Sequence, residues 1–306
     1  MKHLPSITLI ALSIVSSASM LQAGPPPGLV APGGEVKKLA DGFLFTEGPA
    51  ADVQGNVYFT DIPNQRIHLW STDGKLSTFT DQSGRANGLY FDKQGNLIAC
   101  QGAAPGGKRR VAKYGSSADD VSIVDEYAGK RLNSPNDLWI DPKGGIYFTD
   151  PRYGDREDLQ QDGEHVYYIA PGAKEVKRVV DDHVRPNGIV GTPDGKTLYI
   201  TDNGGKKTYR YSINADGTLG DKKEFCPEGA DGMTLDEKGN LYLTTKVVSI
   251  YNPAGKRIGE IVVPEHPANV TFGGPDGKTL FITARKGLYA IPMAVQGALQ
   301  AGKAGS

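Results

Sequence analysis

The chain has 306 residues, of which 38% are hydrophobic, and its formal net charge at pH 7 is −1. A charge this close to zero gives no electrostatic footprint for DNA, RNA or an anionic membrane surface, so we expect a small-molecule partner and no nucleic acid. The 40 glycines exceed average usage and favour a fold with many tight turns.

Residues 1–23 have the pattern of a secretory signal peptide. Lys2 and His3 form a basic start, residues 7–15 an apolar core, and Ala23 ends a small-residue exit. The pattern predicts an exported protein, periplasmic or secreted, that has no membrane contact after cleavage. An uncleaved membrane anchor is the alternative, although the apolar run is short for a bilayer span. Residues 24–34 then form a Pro/Gly-rich linker.

Six repeats follow, and each runs from an acid or amide residue through an apolar stretch to a glycine turn and a second apolar stretch. The turn glycines lie 38 to 51 residues apart, at Gly55, Gly95, Gly144, Gly195, Gly239 and Gly277. A period of this length made of strands and turns predicts an all-β fold, a six-bladed β-propeller with four short antiparallel strands per blade.

The repeats fill residues 35–295, which we expect to form one domain. The segment 35–45 precedes the first repeat and is expected to pair with the last blade and close the ring. Residues 296–306 are predicted to be a C-terminal tail. Cys100 and Cys226 fall in different blades, which favours free thiols over a disulfide. The sequence does not indicate an oligomeric state.

An acid or amide stands eight residues before every turn glycine. These residues are Glu47, Asn87, Asn136, Asn187, Asp231 and Asn269. Since a propeller places equivalent positions around one axis, the period predicts a ring of oxygen atoms at one end of the channel. The alternative is that Asn and Asp act here as turn residues, although Glu47 does not fit that role.

Oxygen donors without thiols or clustered histidines suit a hard cation such as Ca²⁺ or Mg²⁺. Glu47 and Asp231 would neutralise a divalent charge, and Asn136 and Asn187 would add amide oxygens. We expect Ca²⁺, with Mg²⁺, Mn²⁺ or Zn²⁺ possible in its place, since the geometry of the channel decides the choice.

At these residues the chain resembles the senescence marker protein (regucalcin)/gluconolactonase superfamily, in particular its bacterial gluconolactonase-like branch. The segments that carry the resemblance are TEGP at 46–49, NSPND at 133–137, TDPRYG at 149–154, RPNG at 185–188, DGM at 231–233 and NVTFGG at 269–274. They span nearly all of the chain after the signal peptide.

The resemblance implies a six-bladed calcium propeller that opens sugar lactones. It implies metal ligands at Glu47, Asn136, Asn187 and Asp231, with Asp231 also acting as the general base toward water. Ester opening requires these components, namely a water nucleophile, a base and a positive centre for the developing oxyanion. Four further residues are candidate substrate contacts: Asn87, Arg152, Tyr153 and His165.

One position departs from the animal members, which hold substrate with an arginine where this chain has Ser134, as bacterial members do. Sugar specificity therefore does not transfer. Two alternatives stay open: a non-catalytic calcium-bound propeller that serves as a binding module, and a metal-dependent phosphotriesterase, because one fold serves several reactions.

Overall fold

The computed structural model describes residues 24–115 and 118–301. The predicted signal peptide at 1–23 and residues 302–306 of the predicted tail lie outside the described residues. In chain order, the elements are β1 (Lys37–Asp41), β2 (Thr46–Ala51), β3 (Val57–Asp61), β4 (Arg66–Trp70), β5 (Leu76–Thr80), β6 (Ala86–Phe91), β7 (Leu97–Gln101), β8 (Arg110–Tyr114), β9 (Asp120–Val124), β10 (Glu126–Tyr127), β11 (Lys130–Arg131), β12 (Leu138–Ile140), β13 (Ile146–Asp150), β14 (His165–Ile169), β15 (Val176–Val180), β16 (Pro186–Gly191), β17 (Thr197–Asp202), β18 (Lys207–Ile213), β19 (Leu219–Cys226), β20 (Met233–Leu235), β21 (Leu241–Thr244), β22 (Val248–Tyr251), β23 (Arg257–Ile261), β24 (Pro267–Gly273), β25 (Thr279–Ala284), β26 (Gly287–Pro292) and α1 (Ala298–Ala301).

Across the described residues, the strands form six four-stranded antiparallel sheets, which are the blades of a propeller, and β10 and β11 pair as a separate two-stranded hairpin. Blades one to five are the meanders β2–β5, β6–β9, β12–β15, β16–β19 and β20–β23. Blade six is β24, β25 and β26 with β1 as its outer strand, where Lys37 lies opposite Ala290 and Asp41 opposite Gly287. The predicted closure by the N-terminal segment is therefore present, and the prediction of a six-bladed propeller is confirmed.

The first strand of each blade contacts the first strand of the next blade, from β2 through β6, β12, β16, β20 and β24 back to β2. These inner strands are almost wholly buried, whereas outer strands such as β5 are largely exposed. All six inner strands run in the same direction along the channel, so their starting residues meet at one end.

The core lies between blades, where the face of one sheet packs on its neighbour. The Trp139 and Tyr147 rings of blade three stack 5.8 Å apart in a cluster that continues through Tyr199 of blade four to Leu241 of blade five. Blades six and one join through Phe281 and Phe59. Because both faces of an inner strand are covered, the part of the strand beyond the ring residue is mostly glycine and apolar residues without polar alternation, as in GIVG at 188–191.

The hairpin between the first two strands of a blade is fixed by an aspartate. In blade one, Asp52 Oδ1 accepts hydrogen bonds from the Gln54 and Asn56 backbone N–H groups at 2.9 Å, and its Oδ2 accepts one from Asn56 Nδ2 at 2.8 Å. The turn glycine Gly55 has φ 88°, and a Cβ there would lie 2.0 Å from the Gly274 carbonyl oxygen. Glycine is needed at this position for both reasons.

Both segments that flank the propeller pack against it. Leu29 is buried in the predicted linker, Val30 bridges to Met293, and Ala298 of α1 is buried against the core. Among the described residues, no helix has the length and apolar character needed to cross a membrane. Cys100 and Cys226 are both free and buried, as expected.

Candidate active site in the channel

The six predicted ring residues lie where the inner strands begin. Four are within the first three residues of β2, β6, β16 and β24, and the other two precede β12 and β20 by two residues. Four of them, Glu47, Asn136, Asn187 and Asn269, are buried. Asn87 and Asp231 keep partial exposure at the channel end.

Threonines of the second strands fix the backbone of this ring. Thr60 Oγ1 donates to the Asn87 carbonyl at 3.1 Å, and Thr149 Oγ1 donates to the Asn187 carbonyl at 2.8 Å. In the same way, Thr201 bonds to the carbonyl of Ala230. Each of these three bonds ties a blade to the chain at the start of the next blade, so the ring residue of that next blade depends on its neighbour.

The aspartate after each of these threonines fixes the segment that leads into its own blade. Asp61 accepts from the Leu44 and Phe45 N–H groups, and Asp150 accepts from Asn133 and Ser134. Asp202 accepts hydrogen bonds from Val184 and Arg185 in the same way. The repeated Thr-Asp pair is visible in the sequence, although its role was not predicted.

Asp231 and Asn187 are joined by a short side-chain hydrogen bond within the ring. Asn187 Nδ2 donates to Asp231 Oδ1 at 2.6 Å and to the Tyr153 hydroxyl oxygen at 2.8 Å. Burial raises the pKa of Asp231 to about 6, and the Asn187 hydrogen bond and the charges of His266 and Arg285 act in the opposite direction. Asp231 as a whole residue is only partly buried, in contrast to Asn187.

Two further carboxylates, those of Glu47 and Asp137, belong to the ring or directly follow one of its residues. Burial, followed by the charge of Asp231, raises the pKa of Glu47 well above its usual range. Burial also raises the pKa of Asp137 to about 7, although Asn269 Nδ2 donates to its Oδ2 at 3.3 Å and Leu138 N–H to its Oδ1 at 2.9 Å. Burial therefore disfavours the charged form of all three carboxylates, and none of them forms an ion pair with a Lys, Arg or His side chain in the described part of the chain.

This donor set fits a hard cation. In the described ranges, 24–115 and 118–301, no three His, Cys, Asp or Glu side chains converge to hold a metal by themselves. The ring, however, offers carboxylates at Glu47 and Asp231 together with amide oxygens at Asn136 and Asn187, and Ca²⁺ accepts such a mixture. The Asn136 side chain forms no hydrogen bond with any described residue, which leaves its oxygen available.

The structure brings two of the four candidate substrate contacts to the ring and not the other two. Tyr153 bonds to Asn187 and is 44% exposed, and Asn87 belongs to the ring. Arg152 is buried, donates to the Asn133 carbonyl at 2.7 Å and pairs with Asp158, so it anchors the loop 151–164.

His165 is also buried and lies away from the ring. Its Nε2 is 2.9 Å from Asp162 Oδ1, and Arg178 Nη1 donates toward the same nitrogen at 3.2 Å. Neither His165 nor Arg152 bonds to a ring residue. The physical reason is the same for both: their polar side-chain atoms form hydrogen bonds and ion pairs with residues of, or next to, the long loop of blade three.

Asp137, Arg185 and Arg285 lie at or near the ring and were not predicted from the sequence. Asp137 could have been noticed in the sequence, because four of the six ring residues are followed by glycine whereas Asn136 is followed by this aspartate. The two arginines had none, since their place at the channel mouth depends on loops from other blades.

Comparison with known proteins agrees with this architecture. The family described as SMP-30/Gluconolactonase/LRE-like region matches residues 45–286. The chain belongs to this family. It is 32% identical over 290 residues to a gluconolactonase of Zymomonas mobilis, covering 84% of this chain and 80% of that protein. It is also 29% identical over 238 residues to the lactonase drp35 of Staphylococcus saprophyticus, covering 72% of this chain and 70% of that one.

Two solved structures share the fold. A gluconolactonase of Xanthomonas campestris has a TM-score of 0.78 at 28% identity, covering 90% of this chain and 99% of that chain. Regucalcin of Agrobacterium tumefaciens, described as a calcium-binding protein, has a TM-score of 0.70 at 19% identity, covering 90% and 96%. The predicted family is confirmed, and the second likeness shows the fold alone.

Proposed function

We propose that this protein is a lactonase that hydrolyses a sugar lactone or similar cyclic ester, with a divalent cation, Ca²⁺, held in the channel. The observation that carries the proposal is the Asp231–Asn187 contact of 2.6 Å at a partly exposed position beside buried Glu47. Family membership supports it, because relatives that align along most of this chain are named gluconolactonase and lactonase.

Glu47, Asn136, Asn187 and Asp231 would hold the cation. When bound, it would polarise the lactone carbonyl and stabilise the charge that develops on the carbonyl oxygen. Its positive charge would also offset the buried carboxylates, whose raised pKa values show that their ionised forms are disfavoured without it.

Asp231 has the position of a general base. Its Oδ1 is held by Asn187, which leaves Oδ2 to take a proton from water as the water oxygen bonds to the carbonyl carbon. The bond from the carbonyl carbon to the ring oxygen then breaks, and the proton passes to that oxygen, which leaves as a hydroxyl. The product is an open-chain hydroxy acid.

The test is acid release from a panel of aldonolactones by the purified protein, after chelation and again with Ca²⁺ restored. Asp231→Asn keeps an oxygen to accept the Asn187 hydrogen bond but cannot take the proton, so we expect loss of turnover. Asp119→Asn, an exposed carboxylate at the opposite end of blade two, serves as the matched control and should behave as the unaltered protein.

Spontaneous lactone opening is subtracted in every arm. An Asp231→Asn protein that turns over normally would refute the base assignment. A protein that Ca²⁺ stabilises but that opens no lactone faster than background would favour the binding module, and preference for an organophosphate triester would favour the phosphotriesterase.

A further inference from the structure

Arg185 lies at the channel mouth, two residues before Asn187. Its backbone is fixed, because its N–H donates to Asp202 Oδ1 at 2.8 Å and its carbonyl accepts from Asn203 N–H at 3.0 Å. Its guanidinium carbon lies 5.0 Å from the centre of the Tyr153 ring. The side chain nevertheless stays 37% exposed, so it is placed and still accessible.

Tyr153 connects this guanidinium to the ring. The tyrosine hydroxyl accepts from Asn187 Nδ2 at 2.8 Å, and the same amide nitrogen bonds to Asp231. A single tyrosine ring therefore separates Arg185 from the proposed base and its partner. A substrate whose carbonyl is at Asp231 and which lies along Tyr153 would reach Arg185 with its far end.

The charge of Arg185 is only partly neutralised. Its Nε donates to Glu164 Oε2 at 3.3 Å, but Glu164 Oε1 already pairs with Arg156 Nη1 at 2.5 Å. Glu164 also accepts from the Arg152 backbone N–H. The buried carboxylate of Glu164 is thus shared between two guanidinium groups. It holds Arg185 in position but neutralises its charge only in part.

The two terminal nitrogens of Arg185 form no hydrogen bond with any described residue. An arginine held by its Nε and by ring stacking presents these nitrogens as a planar pair, which is the geometry that binds a carboxylate or phosphate through two hydrogen bonds. The Tyr153 ring would separate an anion bound here from Asn187 and Asp231.

We propose that Arg185 forms an anion subsite that binds a terminal carboxylate or phosphate on the far end of the lactone substrate. The proposal rests on the proposed lactonase function and narrows its substrate class to lactones that carry a second acidic group. Arg185 acts as a specificity-determining residue, and Tyr153 and Glu164 position it.

The experiment compares three lactones of one sugar: the neutral aldonolactone, the lactone with a carboxylate at the far carbon, and the lactone with a phosphate there. Arg185→Gln should lower kcat/KM for the anionic lactones by about tenfold to a hundredfold more than for the neutral one, because it removes hydrogen bonds between charged groups. The loss should appear in KM. Arg185→Lys keeps the charge and should restore part of the preference.

Arg156→Gln is the matched control, because Arg156 pairs with the same carboxylate, Glu164, but does not lie against Tyr153. This variant should leave the ratio of kcat/KM for the anionic lactones to kcat/KM for the neutral lactone unchanged. Whichever anionic lactone is turned over faster, and loses more in Arg185→Gln, identifies carboxylate or phosphate as the recognised group. Equal losses on neutral and anionic lactones would overturn the subsite and leave Arg185 as a positioning residue.

A binding measurement separates this proposal from the proposed function. Calorimetric titration with the open-chain dicarboxylate and monocarboxylate of the same sugar should show tighter binding of the dicarboxylate and loss of that difference in Arg185→Gln. If no lactone is opened but this preference is present, the subsite stands and the lactonase proposal fails. If both acids bind alike, the subsite is refuted whatever the turnover.

Discussion

Replacing Thr149 by valine removes a hydroxyl that ties blade three to the ring. Thr149 is fully buried, donates to the Asn187 carbonyl at 2.8 Å and accepts from the Asp137 N–H at 3.2 Å. Valine has nearly the same shape, so both backbone groups stay buried without a partner. Each such group costs about 1–3 kcal/mol, and we therefore expect the two together to lower the free energy of unfolding by about 2–6 kcal/mol.

The assay is urea denaturation monitored by tryptophan fluorescence, with Thr149→Ser as the matched control. Serine keeps the hydroxyl and loses one methyl group, which costs about 1 kcal/mol. The valine protein should therefore be the less stable of the two, and its lactone turnover should fall because Asn187 is no longer fixed. A valine protein that is as stable as the unaltered one, or more stable than the serine protein, would refute this reasoning.

Two further changes test other parts of the structure. His183 is buried against the Tyr211 hydroxyl at 2.8 Å, and burial lowers its pKa to about 4. Because the unfolded chain binds this proton near pH 6.5 and the native one does not, the contribution of His183 to stability should fall by about 3 kcal/mol as pH drops from about 6.5 to 4. Protonation of the channel carboxylates acts in the opposite direction over this range, so the measured quantity is the difference in urea midpoint between the unaltered protein and His183→Asn. That difference should shift in favour of His183→Asn as pH drops, and a constant difference would contradict the reasoning. In Gly232→Ala, the new Cβ would lie 2.1 Å from the Asn269 amide carbon. Asn269 must then rotate and release Asp137, so we expect a loss of about 1–3 kcal/mol in unfolding free energy, whereas Gly115→Ala, where a Cβ meets nothing within 4 Å, should lose little. An unchanged urea midpoint in Gly232→Ala would contradict this, because it would mean that a methyl group fits beside Asn269 without a loss of stability.

The repeated features could be predicted from the sequence because symmetry multiplies a weak signal. Asn87 followed by Gly88 is by itself an ordinary turn pair, and it gains meaning only from Glu47 and Asp231 at the equivalent positions. Closure by β1 could be predicted for a similar reason, since a strand before the first repeat has only the last blade left to pair with. Both predictions depend on the period and not on any single residue.

Features that belong to one blade could not be predicted in this way. Arg152 and Tyr153 are adjacent in the sequence, yet one is buried in its loop and the other bonds to Asn187. Which of two neighbours faces the channel depends on how the loop 151–164 folds on Glu164, and no repeat supplies a second copy of that loop. Arg185 is placed by that same loop from another blade, so its role could be read only from the structure.

The three channel carboxylates, when ionised, lower the stability of the fold. Burial raises the pKa of Glu47, Asp137 and Asp231, which means that ionising them at neutral pH weakens the native state. The apolar clusters between blades and the threonine bonds beneath the ring do not need these acids, and amides of similar size would fill the same space at lower electrostatic cost. Groups kept at a cost to folding are expected where binding or chemistry requires their charge. The cost falls on Glu47 and Asp231, which would hold a cation and accept a proton, and on Asp137, whose charge interacts with both. A cation bound among them would remove this cost, which is why we expect metal binding to stabilise the fold.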